Sequence, residues 1–419
     1  MSRTIEVFEG ASLEVKAGPA AGGLSSAEFD ALVRFNDEHE RRYFDVGHRR
    51  ITMKRYVGYL EIGDLAIEIL PKADRAASTS AQVWRDGLIE MLRIALGLRL
   101  ESVRTASQQL TRSSLLDLIA AAYAGELEVL QRHGLAKGYR RHESNGVVFR
   151  GSLVINEHLR QNLGRADRFY VAYQTYDHDI TVNRLLRAAL DVLAACALSA
   201  GVAARIASCR GLFPEVSGAT VQLEWFDRVH LTRATARYGP ALQLARMILE
   251  HRGPQLRAGP VRVFSLLFDM SALWERYVAA LFRRAAPREV VVSTQERHLF
   301  WCPPAHPGRR VRPDIVLRAA TTRGPGRTLL VVDTKWKVPR RGIPSDDDLK
   351  QMFVYNELLA GARAALLYPA VEGAVALSGT YAQRDHSCEQ IHLGLLDATG
   401  WSTSSMRLQI ARLLAGLIA

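Results

Sequence analysis

The chain has 419 residues, 48% of them hydrophobic and 23% charged, with 31 Gly and 15 Pro; it can bury at least one large core, which excludes a disordered or collagen-like chain. No stretch approaches the roughly 18 to 20 uncharged apolar residues of a spanning helix, and the start, MSRTIEVFEGASLEVKAG, holds no apolar block of secretory type, so a cytoplasmic protein without a membrane partner is expected. The net charge of +12 favours a polyanionic partner, since basic surface releases counterions from a phosphate backbone; because Arg greatly outnumbers Lys, charge alone does not separate nucleic-acid binding from compositional bias.

Residues 1–75 read mainly as strands and form a β-rich first domain. Between Ser25 and Arg42, Phe29, Leu32, Val33 and Phe35 recur at helical spacing behind Ser25 and Ser26, which can cap a helix. Tyr56–Ile62 and Leu65–Leu70 alternate apolar and polar residues around Gly63-Asp64, a Gly-x pair suited to a type II′ hairpin, and Pro71 ends the second strand.

After the Ala/Ser-rich stretch Ala76–Ala81 the period lengthens, and a mainly helical middle domain over 76–260 is expected. Trp84, Leu88, Met91, Leu92, Ile94 and Ala95 mark one helix; Leu115, Leu118, Ile119, Tyr123, Leu127 and Leu130 mark a longer one. Tyr139–Leu163 combines a short extended run at Val147–Phe149 with a further helix. Then follow a strand-like aromatic run and an apolar helix from about Val182 to Leu198 that Thr181 can cap. Tyr170, Tyr173 and Tyr176, three apart, suit a packed seam better than a base-stacking platform.

From about Val261 the pattern becomes a helix, two strands, a helix, another strand, further extended segments and a C-terminal helix, giving a third domain over 261–419. An α+β or α/β multidomain fold is therefore expected.

The chemistry concentrates in that last third. Cys196, Cys209, Cys302 and Cys388 form no C-x-x-C pair and the histidines show no H-E-x-x-H spacing, so free thiols and no zinc centre are expected. By contrast, Asp314 opens the apolar run of RPDIVL, and the β-branched run TLLVVDTKWKV delivers Asp333 and Lys335. The intervening Thr321–Arg327 is a turn by composition, so the two runs should be neighbouring antiparallel strands. Side chains two apart on a strand share a face, which groups Asp333 with Lys335, sends Thr334 to the other side, and lets Asp314 reach the same point. Unpaired buried carboxylates are costly. A pair converging with a lysine suits a hard divalent cation, Mg²⁺ or Mn²⁺, which also binds phosphate oxygens. Asp314 and Asp333 would then hold the metal, while Lys335 would orient or help deprotonate the attacking water and offset charge on the phosphorane-like transition state.

Two flanking features join this set. A helix from about Asp346 to Leu359 carries Gln351 and Tyr355 four apart on one face, and the helix after Asp269 carries Glu275 among Leu273, Trp274, Tyr277 and Val278. Glu275 is a solvated helix residue or a third acidic neighbour of the metal.

Glu275, R-P-D-I with Asp314, V-D-T-K with Asp333 and Lys335, and Q-M-F-V-Y with Gln351 and Tyr355 together resemble the PD-(D/E)XK nuclease superfamily, in its RecB-like branch with a Q-x-x-x-Y helix. Over most of the chain the sequence also resembles the McrC family, the nuclease subunit of the 5-methylcytosine-specific McrBC restriction system. That resemblance is carried by I-E-I-L-P-K from Ile67, F-R-G-S-L from Phe149, N-E-H-L-R-Q-N-L from Asn156, T-V-N-R-L-L from Thr181 and F-D-M-S-A-L-W-E-R-Y-V from Phe268. It implies a C-terminal nuclease domain with a mixed central sheet flanked by helices and a Mg²⁺-dependent endonuclease that cuts double-stranded DNA. It also implies a partner, a McrB-like AAA+ GTPase engaged through the N-terminal portion. The chain contains no G-x-x-x-x-G-K-[ST] phosphate loop, so the motor would come from elsewhere. The competing readings are a noncatalytic adaptor that activates a partner NTPase and clamps DNA, and a RecB-like nuclease of DNA repair working without a GTPase.

Overall fold

The computed structural model describes residues 3–16, 23–73, 80–97, 114–218, 221–233, 235–250, 263–303, 307–321, 326–359, 363–370, 374–398 and 400–418. Most of the Ala/Ser-rich stretch from Ala76, most of the Thr321–Arg327 turn and the expected boundary at 260–261 lie outside them.

The chain is a mixed α/β protein with several sheets, and it forms two compact units. One comprises Arg3–Leu98 with Leu267–Ala419, the other Arg99–Leu266. The three consecutive domains expected from the sequence are thus regrouped: the first folds together with the last, and the helical middle segment is inserted between them. Packing explains the regrouping. Helix Ala81–Ala95 packs on helix Met270–Ala285, and it can lie close to the C-terminal segment because position 87 is glycine, where a Cβ would stand 2.3 Å from the Trp401 ring. Thr403 Oγ1 donates to Glu90 on the same helix at 3.2 Å.

In the first unit, Arg3–Phe8, Leu65–Leu70 and Tyr56–Ile62 stand in that order in one sheet. The expected hairpin forms with Ile62 paired to Leu65. Gly63 takes φ 61° and Asp64 stays at negative φ, the sign pattern of a type II′ turn. Strand Arg3–Phe8 runs parallel to Leu65–Leu70 and covers its far edge. Both hairpin strands are buried along their whole length, so Glu61 and Glu68 are enclosed. Glu61 accepts from the Tyr59 hydroxyl at 3.0 Å, and Glu68 forms a two-bond pair with Arg85 at 2.9 and 2.7 Å. The helix expected after Ser25 runs Ser26–Glu38, with Ser25 and Glu28 forming a reciprocal capping box.

The second sheet of this unit has six strands in the order Val290–Thr294, Ile315–Ala319, Thr328–Thr334, Arg363–Pro369, Ser387–Leu393, Leu377–Thr380. The first three run antiparallel to one another in succession, Thr328–Thr334, Arg363–Pro369 and Ser387–Leu393 are parallel, and the last edge is antiparallel. A parallel step needs a crossover, and helix Asp346–Leu358 supplies it. Its Met352 and Tyr355 pack on Val316, Val331, Ala364, Leu366 and Tyr368, a core that fixes one face of the sheet.

The second unit is mainly helical around a three-stranded antiparallel sheet. Three expectations change here. The extended segment is Gly138–Gly146, ahead of Val147–Phe149, which lie exposed outside any strand. The apolar helix runs Thr181–Ala194, so Thr181 begins it and Ile180 occupies the cap position. The tyrosines of strand Phe169–Asp177 make no buried seam, because residues three apart on a strand face opposite ways. Tyr176 is 59% exposed against Tyr139, and Tyr173 stacks on His142 beneath the Arg150 guanidinium. Among the described residues, no helix is long and apolar enough to cross a membrane.

Candidate active site

The pairing of Ile315 with Val332 sets Asp314 opposite Asp333, one step further along the antiparallel pair. Period-two alternation puts Asp314 on the face of Val316 and Asp333 on the face of Val331, and both valines belong to the core beneath helix Asp346–Leu358. The carboxylates therefore emerge at the end of the strands, under the helix carrying Gln351 and Tyr355.

The side chains form a connected chain of contacts. Asp333, 1% exposed, meets the Lys335 ammonium through Oδ2 at 2.5 Å. Its Oδ1 accepts from Gln351 Nε2 at 3.1 Å. Gln351 bridges the pair by accepting from Lys335 Nζ at 3.0 Å, and it also donates to the Tyr355 hydroxyl at 2.7 Å. Tyr355 in turn donates to the Arg312 carbonyl at 3.2 Å, which anchors the segment leading into Asp314. Asp314 Oδ2 accepts from the backbone N–H and hydroxyl of Thr334 at 2.7 and 2.9 Å. Its Oδ1 accepts no hydrogen bond among the described residues. Asp333 itself is walled in; the constellation reaches solvent through the half-buried Asp314, Lys335 and Glu275.

Of the six residues singled out in the sequence, Asp333, Lys335, Gln351 and Tyr355 are thus joined, and Asp314 stands opposite Asp333, held by Thr334. Glu275 stands beside them on helix Met270–Ala285, which Asp269 caps. Its carboxylate accepts from Gln295, a residue held at φ 59° whose N–H reaches the Asp314 carbonyl at 3.4 Å. Burial, with the repulsion of Asp314 and Asp333, pushes Glu275 up to about 7. Burial likewise raises Asp314 and Asp333, which repel one another. Lys335 is affected oppositely: burial disfavours its charge, but Asp333, supported by Asp348 and Asp314, keeps its pKa above the ordinary lysine value.

Sequence reasoning missed Thr334, Gln295 and Asp348. Asp348 is buried in the first turn of the crossover helix, capped by Ser345. Its Oδ2 accepts from Lys337 at 2.7 Å and Tyr368 at 3.1 Å, and Oδ1 lies 3.9 Å from Lys335. The run S-D-D-D hinted at an acidic helix start without distinguishing which Asp turns inward.

The donor set fits a hard divalent cation. Three carboxyls crowded above their usual pKa range, one with a bare oxygen, are relieved by positive charge. Among the described residues no group of three or more His, Cys, Asp or Glu side chains stands ready to hold a metal ion; Mg²⁺ can be held through one or two carboxylates, with waters and phosphate oxygens completing its shell. The four cysteines are free thiols.

Residues 51–369 match the family described as McrBC 5-methylcytosine restriction system component. No curated protein matches the chain. Among solved structures the chain is similar, at 19% identity and a TM-score of 0.71 over 100% of both chains, to one in a refined half-complex from a tetradecameric assembly of Thermococcus gammatolerans McrB AAA+ hexamers with bound McrC. It also matches a chain in the cryo-EM structure of the Thermococcus gammatolerans McrBC complex at 20% identity and a TM-score of 0.49, over 68% of this chain and 90% of that one.

Proposed function

The chain belongs to the McrBC 5-methylcytosine restriction system component family, and from that premise we propose that it is the endonuclease subunit of a modification-dependent restriction complex. The observation that carries the reading is the joining of Asp333, Lys335 and Gln351, with Asp314 set opposite Asp333, at one end of an antiparallel strand pair. That end of a mixed sheet, followed by a crossover helix with Gln351 and Tyr355, supports assignment to the PD-(D/E)XK, RecB-like nucleases.

In this reading Asp314 and Asp333 hold Mg²⁺, with Mn²⁺ as a substitute, and Glu275 stands as an acidic neighbour. The bound ion supplies Lewis acidity at the scissile phosphate and lowers the pKa of a water. The chain's own groups do the positioning. Thr334 fixes Asp314, and Gln351 fixes both Asp333 and Lys335. Because its neighbours favour its charged form, Lys335 acts as an ammonium that orients the attacking water and offsets charge on the phosphate, rather than as the base. The substrate is double-stranded DNA, and attack is by water in line, without a covalent intermediate. The partner is a McrB-like AAA+ GTPase, a reading supported by the Thermococcus gammatolerans assembly that holds the similar chain, which contains McrB AAA+ hexamers with bound McrC.

The test is cleavage of methylated plasmid by the purified complex with GTP and Mg²⁺. Asp333→Ala and Lys335→Ala should each lose at least about 100-fold in rate, the scale of removing one transition-state contact, while still copurifying with the partner, and chelator should silence the wild type. Undiminished cleavage by both variants would refute the assignment.

A further inference from the structure

Next to the candidate cleavage site lies a basic groove of about 700 Å³. It is formed where strands Arg3–Phe8, Leu65–Leu70 and Thr328–Thr334 end, the side of a sheet on which ligands commonly bind. Among the described residues its cations are Lys54, Arg55, Lys72, Lys337 and Arg340, and its one carboxylate is Glu9. Glu9 is engaged: its Oε1 accepts from the Trp336 indole N–H at 2.5 Å and from the Lys72 backbone N–H at 3.0 Å. Trp336, held also by Trp274 at 5.2 Å between ring centroids, makes a fixed flat wall.

Three of the cations are partly neutralised: Lys54 by Asp45 at 3.1 Å, Arg55 by Asp269 at 3.1 Å and Lys337 by Asp348 at 2.7 Å. Lys72 rests over the Phe8 ring at 5.0 Å, and among the described residues neither it nor Arg340 has a carboxylate partner. Concentrated positive charge in a recess calls for an anionic ligand. Continuity identifies which one. Trp336 and Lys337 follow Lys335 directly, and Asp348 lies within reach of both lysines, so the groove leads away from the carboxylates at the spacing of a residue or two.

We infer that this groove is a phosphate track for the DNA strand being cut: Lys72 and Arg340 each take a backbone phosphate beside the scissile one, and Trp336 packs along the sugar. The inference deepens the nuclease reading and rests on it. A free nucleotide would offer the same phosphate chemistry, but the groove is lined by the two residues that follow Lys335, and the sequence contains no G-x-x-x-x-G-K-[ST] loop to cradle a nucleotide.

The experiment is equilibrium binding of a fluorescent DNA duplex to the full-length chain in chelator, so that no cleavage intervenes, across a salt series. Lys72→Ala with Arg340→Ala should weaken binding at least tenfold and flatten the plot of log affinity against log salt by about 2, since each phosphate contact contributes about 0.9 to the slope. Charge reversal to Glu at both positions should weaken it further. Melting temperature checks the fold; should the double variant melt early, the single variants Lys72→Gln and Arg340→Gln carry the same readout. Affinity within twofold of wild type with an unchanged slope overturns the inference. So does a variant that keeps its DNA affinity and loses only GTP or pyrophosphate binding. The nuclease reading fails separately, if Asp333→Ala cuts normally.

Discussion

Asp314 is held by a residue that strand alternation sends to the opposite side of the sheet. Thr334 ends its strand, and there both its amide and its hydroxyl turn onto Asp314 Oδ2. Losing the hydroxyl leaves one hydrogen bond where there were two, so Asp314 Oδ1 is no longer aimed. Thr334→Val should therefore raise the Mg²⁺ concentration for half-maximal cleavage about tenfold or more, as expected for residues that orient metal ligands, while Thr334→Ser should behave as wild type. An identical Mg²⁺ dependence in Val and wild type would show that the backbone amide suffices. Asp333 and Lys335 were legible in the sequence because their relation is local, two residues along a β-branched run. Gln351 and Tyr355 were legible because a helix places residues four apart together. Thr334, Gln295 and Asp348 were not, since each acts through contacts between segments that no local period encodes.

Among the elements, the hairpin Tyr56–Leu70 was readable to its turn, whereas the ribbon Gly138–Gly146 was not. A strand that covers a core must show apolar residues; one that lies mostly against solvent, as YRRHESNG does, has no such obligation, and the apolar Val147–Phe149 beside it drew the expectation instead. What ties helix Ala81–Ala95 to the hairpin sheet is Arg85. It grips Glu68, 1% exposed, through two bonds and reaches Glu6 on the neighbouring strand at 2.6 Å. These partners hold the guanidinium charged, well above its ordinary pKa. Removing one member of such a pair leaves an uncompensated buried charge, so Arg85→Ala should cost roughly 3 to 5 kcal/mol, measured by denaturant unfolding. Arg85→Ala with Glu68→Gln should recover part of it; equal losses in the single and double variants would mean that the cost is lost packing.

At the scale of the whole molecule, the chain's division into Arg3–Leu98 with Leu267–Ala419 and Arg99–Leu266 argues against a single cooperative unfolding step, since separate cores seldom melt as one. The second unit has its own polar anchor. Asp179 accepts from Arg184 at 2.7 and 2.9 Å, from the Ser217 amide and hydroxyl at 3.0 Å each, and from Arg140, so one carboxylate binds the sheet, the apolar helix and the loop after helix Ala200–Arg210 together. Arg184 first, and the Ser217 groups with it, hold the Asp179 carboxyl well below the usual range against the opposing effect of burial. Because the folded pKa is depressed, the stabilisation is complete above the unfolded value of about 4 and is lost as pH falls below it. Asp179→Asn should therefore lower one of two calorimetric transitions near neutral pH by roughly 4 to 8 °C, the effect of about 2 kcal/mol on a unit of this size, and leave the other in place. The gap between wild type and variant should narrow progressively as pH falls below about 5. If both transitions move together, or the gap does not narrow at all in acid, the two units melt as one body or Asp179 stabilises by packing instead of charge.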